Sequence, residues 1–134
     1  MYAYLDSSAL VKLAVREPET GALERAVLEC DALFSSVIAS MELARALRRA
    51  SSERSLLQQL DAVLACVFLA EMTAAVRDRA GRLEPASLRT LDAIHLATAV
   101  DLSLPNLEFV TYDDRQARAA MSLGLRVTQP GLLT

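Results

Sequence analysis

Residues 2–15 read YAYLDSSALVKLAV. The first five alternate and are rich in tyrosine, the pattern of a strand. Ser7 and Ser8 then offer side-chain oxygens that can cap a short helix, ALVKLAV. A strand running straight into a helix is the start of a βαβ unit, and the rest of the chain repeats the theme. Glu17 and Pro18 break the first helix, and Thr20 to Glu29 places apolar residues at 22, 23, 26 and 27, a helical spacing. Leu33 to Ser36 reads as a short strand, and Ser36 or Ser40 can cap a helix that runs to about Arg49. Ala50, Ser51 and Ser52 mark a turn. Arg54 to Ala65 is again amphipathic, Cys66 to Leu69 is a strand, and Thr73 to Leu83 is a helix in a region that Pro85 ends. Thr90 can cap a helix from Leu91 to Leu102 that is apolar on most sides and therefore buried. Pro105 and Asn106 turn the chain into a strand from Glu108 to Thr111. A helix from Arg115 to Leu123 stops at Gly124, and Leu125 to Thr128 is a last short strand. Short strands alternating with helices predict a parallel sheet covered on both faces, an α/β/α sandwich of three layers.

The chain has 134 residues, of which 53% are apolar. That fits one domain spanning 1–134 with a real core, and it excludes a disordered segment. No apolar run reaches the length of a membrane span. The first strand begins at Tyr2, which leaves no room for a secretory leader. Cys30 and Cys66 form no CxxC and have no zinc spacing, so they read as buried free thiols of a cytoplasmic protein. All six aromatics fall in or beside strands, which assigns them to packing rather than to an exposed stacking platform for bases. The net charge is −3 and the pI about 5.1, a balance that argues weakly against nonspecific nucleic-acid binding.

Four acids stand out against this apolar background. Asp6 ends YAYLD, Glu42 interrupts SSVIASMELARAL, Asp92 opens LDAIHLATAV and Asp113 follows EFVTY. Ionised carboxylates are rarely buried without a partner, and no lysine or histidine accompanies these four locally. Asp6 and Asp113 lie at the carboxyl ends of their strands, where open parallel sheets bind ligands at the switch point. Taken singly, Asp92 suits a helix dipole, Glu42 a solvated helix face, and Asp113 a turn with Asp114 as helix cap. Taken together, the four predict a cleft of oxygen ligands whose mutual repulsion a divalent cation offsets. His95 lies one turn after Asp92 and reads as a core histidine with a hydrogen-bonded ring nitrogen, because oxygen-ligated Mg²⁺ needs no imidazole.

The segments YLDSSALVKL, SSVIASMELARAL, LRTLDAIHLATA and FVTYDDRQARAAMSLGLRV resemble, in order and over nearly the whole chain, the motifs of PIN-domain ribonucleases, in particular the VapC-type toxins of type II toxin–antitoxin pairs. The resemblance implies a five-stranded parallel sheet in the order 3-2-1-4-5. It implies that Asp6, Glu42, Asp92 and Asp113 hold one or two Mg²⁺ or Mn²⁺ ions. Ser8 matches the family's small hydroxyl near the metal, Thr111 its polar residue before the last acid, and Asp114 is an alternative final ligand. Arg45, Arg48 and Arg49 correspond to its basic residues after Glu42, which meet RNA or antitoxin. The implied activity is metal-dependent hydrolysis of RNA phosphodiesters to 5′-phosphate and 3′-hydroxyl ends. The implied partners are a cognate small antitoxin, structured RNA with exposed loops such as tRNA, and a second copy in a homodimer. Dimer or antitoxin surfaces would lie on the apolar helices between Thr20 and Ala65.

Two alternatives keep the fold and change the role: an RNA-processing PIN nuclease that is not a toxin, and a noncatalytic PIN-like binding module. Phosphoaspartate enzymes also place an Asp after strand one. Here, however, Ser8 stands where they need a second Asp, and the only lysine, Lys12, is on the first helix.

Overall fold

The computed structural model describes residues 1–50 and 54–132. The chain runs β1 (Tyr2–Leu5), α1 (Ser7–Ala14), α2 (Thr20–Leu28), β2 (Ala32–Ser36), α3 (Ile38–Ala50) and α4 (Arg54–Ala65). It continues with β3 (Phe68–Ala70), α5 (Ala74–Arg82), α6 (Thr90–Leu102), β4 (Leu107–Val110), α7 (Asp114–Ser122) and β5 (Arg126–Thr128). The expected turn at Ser51 and Ser52 lies outside the described residues.

The five strands form one sheet in the order β3-β2-β1-β4-β5, and every pairing is parallel. β1 is central, with Tyr4 beside Phe34 on one flank and Phe109 on the other. Because side chains alternate along a strand, β1 feeds two cores. Ala3 and Leu5 pack with Leu10 of α1, Leu23 of α2 and Leu43 and Leu47 of α3. Tyr4 packs on the other face with Leu96 and Ala99 of α6, Phe109, and Ala119 and Ala120 of α7. Burial on both faces explains why the strands read as almost continuously apolar runs. α6 is buried from Ala93 to Ala99, as its all-round apolar sequence predicts.

Helix starts differ from expectation in ways that bear on the site. Asp6, rather than Ser7 or Ser8, caps α1: its backbone is extended (φ −78°, ψ −179°) and its carboxylate accepts the Ala9 N–H. The cap must be the last residue outside the helix, and β1 delivers Asp6 to that point. Thr90 lies inside α6, whose cap position is Arg89 with no side-chain capping bond. Asp113, not Asp114, caps α7 and accepts the N–H groups of Arg115 and Gln116. Ser36 accepts the Ile38 N–H at the start of α3, whereas Ser40 lies within the first turn of the helix. The cysteines are free, but Cys66 is exposed and Cys30 half-buried. Cys66 sits between α4 and the edge strand β3, outside both cores.

Candidate functional site

β1 and β4 are neighbours, and the chain leaves both at the same edge of the sheet. Asp6 and Asp113 follow these two strands, while Glu42 projects from the second turn of α3 and Asp92 from the first turn of α6. All four line one cleft of about 440 Å³, together with Ser7, Ser8, Arg49 and Arg89. Asp114 does not line it; it is exposed and meets Gln129 Nε2 at 3.5 Å. Of the three arginines expected after Glu42, Arg49 lines the cleft, whereas Arg45 and Arg48 are exposed and do not line it.

Asp6 is the deepest of the four, only 3% exposed. Its Oδ1 accepts the Ser8 hydroxyl at 2.6 Å and the Ala9 N–H at 3.1 Å, and its Oδ2 accepts the Thr111 hydroxyl at 2.5 Å. Burial still dominates and raises its pKa above the ordinary 3.8, against the lowering effect of Ser8, Thr111, His95 and the Ala9 amide. Ser8 and Thr111 also tie the two strand ends together: Ser8 Oγ accepts the Tyr112 N–H at 2.9 Å, and Thr111 Oγ1 accepts the Asp113 N–H at 3.1 Å.

The other acids have partners that sequence reasoning missed. Glu42 Oε1 lies 2.6 Å from His95 Nε2, and Oε2 accepts the Ser7 hydroxyl at 3.2 Å. The His95 ring is 1% exposed, and its Nδ1 meets the Tyr4 hydroxyl at 2.8 Å. With Glu42 ionised, Nε2–H donates to the carboxylate, and a neutral ring then accepts the Tyr4 O–H at Nδ1. His95 is a buried, hydrogen-bonded core histidine as expected, but one of its partners is a site carboxylate. Arg89 spans the remaining pair. Its Nε donates to Asp92 Oδ2 at 3.0 Å and its Nη2 to Asp113 Oδ2 at 3.1 Å. The expectation that no lysine or histidine accompanies the four acids is therefore corrected by His95, and Arg89 adds a guanidinium. The local signal was present, since Arg89 and His95 stand three residues either side of Asp92, a spacing that shares a helix face. Gln116, fully buried on α7, donates Nε2–H to the Asp92 carbonyl at 3.2 Å and fixes α7 against α6; its Oε1 has no partner.

The chemistry of the donor set fits a hard divalent cation: four carboxylates on one cavity, with hydroxyls beside them and no thiolate. Among the described residues no three acids, imidazoles or thiols are placed closely enough to hold a metal ion together as the side chains stand. Arg89 and His95 instead supply the charge and hydrogen bonds that the acids require.

The PIN domain family matches residues 3–121. The chain is 47% identical over 128 residues to Ribonuclease VapC46 of Mycobacterium tuberculosis, covering 95% of this chain and 96% of that protein. It is 40% identical to Ribonuclease VapC35 of the same species, covering 96% of each. Its fold resembles the crystal structure of Mycobacterium tuberculosis VapC20, a toxin that cleaves the sarcin–ricin loop, with a TM-score of 0.74 at 16% identity over 96% of this chain and 99% of that one. It also resembles VapBC2 from Rickettsia felis bound to a fragment of promoter DNA, with a TM-score of 0.73 at 17% identity over 97% of this chain and 99% of that one. At such identities the structural likeness speaks to the fold.

Proposed function

This chain belongs to the PIN domain family, alongside the VapC ribonucleases, and on that premise we propose that it is a divalent-metal-dependent endoribonuclease, the toxin of a toxin–antitoxin pair. The observation that carries the reading is the convergence of Asp6, Glu42, Asp92 and Asp113 on one cleft at the β1/β4 switch point. Family membership supplies the reaction class; the cleft supplies residues able to perform it.

Asp6, Glu42, Asp92 and Asp113 would hold one or two Mg²⁺ or Mn²⁺ ions, with Ser8 and Thr111 beside them. Bound there, such ions would supply an acidified water and electrostatic stabilisation for phosphodiester hydrolysis. The rest is done by the chain. Ser8, Thr111 and the Ala9 amide keep Asp6 facing the cleft. His95, backed by Tyr4, sets the rotamer of Glu42. A carboxylate of the cluster that is not fully engaged accepts the proton of the attacking water. Arg89 lines the same cleft, and its guanidinium fork, if released from Asp92 and Asp113, suits a phosphate group. The products are a 5′-phosphate and a 3′-hydroxyl.

The substrate is RNA with exposed loops, tRNA included, because splayed bases and backbone are reachable there. The physiological partner is a small antitoxin that places a cation over the acidic cleft, much as Arg89 does within the chain. Similar structures include VapBC2 of Rickettsia felis and VapBC-5 of Mycobacterium tuberculosis, which supports this partner. Exposed apolar side chains at Leu28, Met41 and Leu57, on α2, α3 and α4, suit burial by the antitoxin or by a second copy. Among the described residues no helix is long and apolar enough to cross a membrane; one PIN domain over residues 1–134, working in the cytoplasm, is part of the proposed reading.

Expression alone and with the product of the adjacent short gene tests the toxin role. Growth arrest by the parent chain, none by Asp92→Asn, and recovery on coexpression are the expected results. A harmless parent that cleaves RNA in vitro would instead make this a PIN nuclease of another role.

A further inference from the structure

Beside the acidic cleft lies a second groove of about 540 Å³, between the 85–89 loop and α7. The two cavities share Arg89 and Asp92 among their lining residues, so they adjoin. Arg115 and Arg118 line this groove from α7; they are three residues apart and so lie on one helix face. Both are exposed, and among the described residues neither guanidinium has an acidic partner, unlike Arg16, Arg82, Arg89 and Arg126. Arg115 is the second residue of α7, next to the positive end of the helix, where a cation does nothing for helix stability. Ser87 and Ser122 add hydroxyls, and the one carboxylate lining the groove, Asp92, is already held by Arg89 at 3.0 Å. In a chain of net charge −3, the whole surface does not attract a polyanion, so binding must rest on a local patch.

We propose that this groove is a phosphate-binding subsite for single-stranded RNA. Arg115 and Arg118 hold backbone phosphates that flank the scissile one, and Arg89 stands at the crossing between groove and cleft. The proposal rests on the ribonuclease reading and adds the path of the strand. Guanidinium forks match phosphate oxygens in pairs and are weakly hydrated, which suits them to this contact. An acidic peptide would meet the same arginines. Adjacency to the carboxylate cleft, where the reacting phosphodiester must lie on the ribonuclease reading, favours RNA. Arg49 of α3, one of the three arginines expected to meet RNA or antitoxin, lines the adjoining acidic cleft.

Binding is measured by anisotropy of a fluorescein-labelled single-stranded RNA in Mg²⁺, over a series of salt concentrations. The proteins are full-length Asp6→Asn, the same with Arg115→Ala and Arg118→Ala, and a charge-matched control with Arg25→Ala and Arg79→Ala. The groove variant should bind about tenfold more weakly at moderate salt. Its slope of log affinity against log salt should be shallower by about 1.4, roughly 0.7 for each lost single-strand phosphate contact. The control should match Asp6→Asn. With Asp6 restored, the groove variant should raise KM and leave kcat unchanged. Equal affinity of groove variant and Asp6→Asn, while the parent chain cleaves RNA, overturns the subsite and leaves the ribonuclease standing. Equal weakening in the control reduces the effect to net charge and overturns the subsite as well. Unchanged RNA affinity with lost binding of an oligoglutamate peptide gives the groove to a protein partner and overturns it. A parent that neither binds nor cleaves RNA overturns both readings.

Discussion

His95 holds Glu42 from beneath the site: Nε2 lies 2.6 Å from Oε1, although the two residues are 53 positions apart and on different helices. The contact joins α6 to α3 across the sheet edge, and the Tyr4 hydroxyl at 2.8 Å anchors the ring to the central strand. His95→Ala would leave a cavity and a Glu42 oxygen without its donor. The expected loss is about 2–4 kcal/mol of stability, from the cavity together with the broken bonds, with a fall in kcat. His95→Gln, which can still donate toward Glu42, should recover part of both. Urea denaturation and single-turnover cleavage are the measurements. Wild-type kcat in a folded His95→Ala variant would show that Glu42 does not need this support.

Arg89 is the internal counter-ion of Asp92 and Asp113, and a divalent ion at those acids would compete with it. Arg89→Gln should therefore lower the melting temperature in chelator and enlarge the rise on adding Mn²⁺. An ion at about 100 times its dissociation constant adds roughly 2.7 kcal/mol to any protein that binds it only when folded. The rise should vanish in Asp6→Asn/Asp92→Asn. Scanning calorimetry with and without Mn²⁺ reads all three proteins, and an undiminished rise in the double variant would place the ions elsewhere.

Asp6 gives a pH dependence with a definite sign in metal-free protein. Burial raises its folded pKa above the ordinary 3.8, so between those two values the folded chain holds a proton that the unfolded chain has lost. The relative stability from this group is full below 3.8 and is lost as pH rises through the raised folded value. In chelator, Asp6→Asn should then be more stable than the parent at neutral pH, and the gap should close on acidification. Melts from pH 4 to 8 check this. A divalent ion that favours the ionised form should shrink the gap or reverse it at neutral pH.

Leu43 is fully buried on the side of α3 that packs on the sheet. Leu43→Ala should cost about 2–5 kcal/mol, read as a lower urea midpoint. Because Glu42 is its neighbour on α3, activity should fall only as far as the fold does under native conditions.

The strand–helix alternation was legible because each short strand carries its own period and punctuation, and parallel strands buried on both faces leave continuous apolar runs. The four acids were legible for the complementary reason: each is a charge in an apolar setting. The spatial neighbours of those acids were harder to read. Arg89 and Asp113 are 24 positions apart, and Glu42 meets His95 only because α3 and α6 approach one sheet edge from opposite faces. The hydroxyls after Asp6 read as helix caps. In the fold Asp6 takes that duty, and Ser8 is freed to brace the acid and the Tyr112 amide. Arg45, Arg48 and Arg49 drew notice through their sequence proximity to Glu42, and of these Arg49 lines the cleft; the arginines of the adjoining groove come from α7, far along the chain.

The most direct test of the central claim is cleavage of a 5′-labelled RNA by purified protein in Mn²⁺, with product ends mapped, beside Asp6→Asn and Asp92→Asn variants shown to be folded. The account predicts Mn²⁺-dependent cleavage that leaves 5′-phosphate and 3′-hydroxyl ends, is abolished by chelator, and falls at least about a hundredfold in each variant, as expected on removing a group that stabilises transition-state charge. Cleavage at the parental rate in either folded variant, or in chelator, would contradict it.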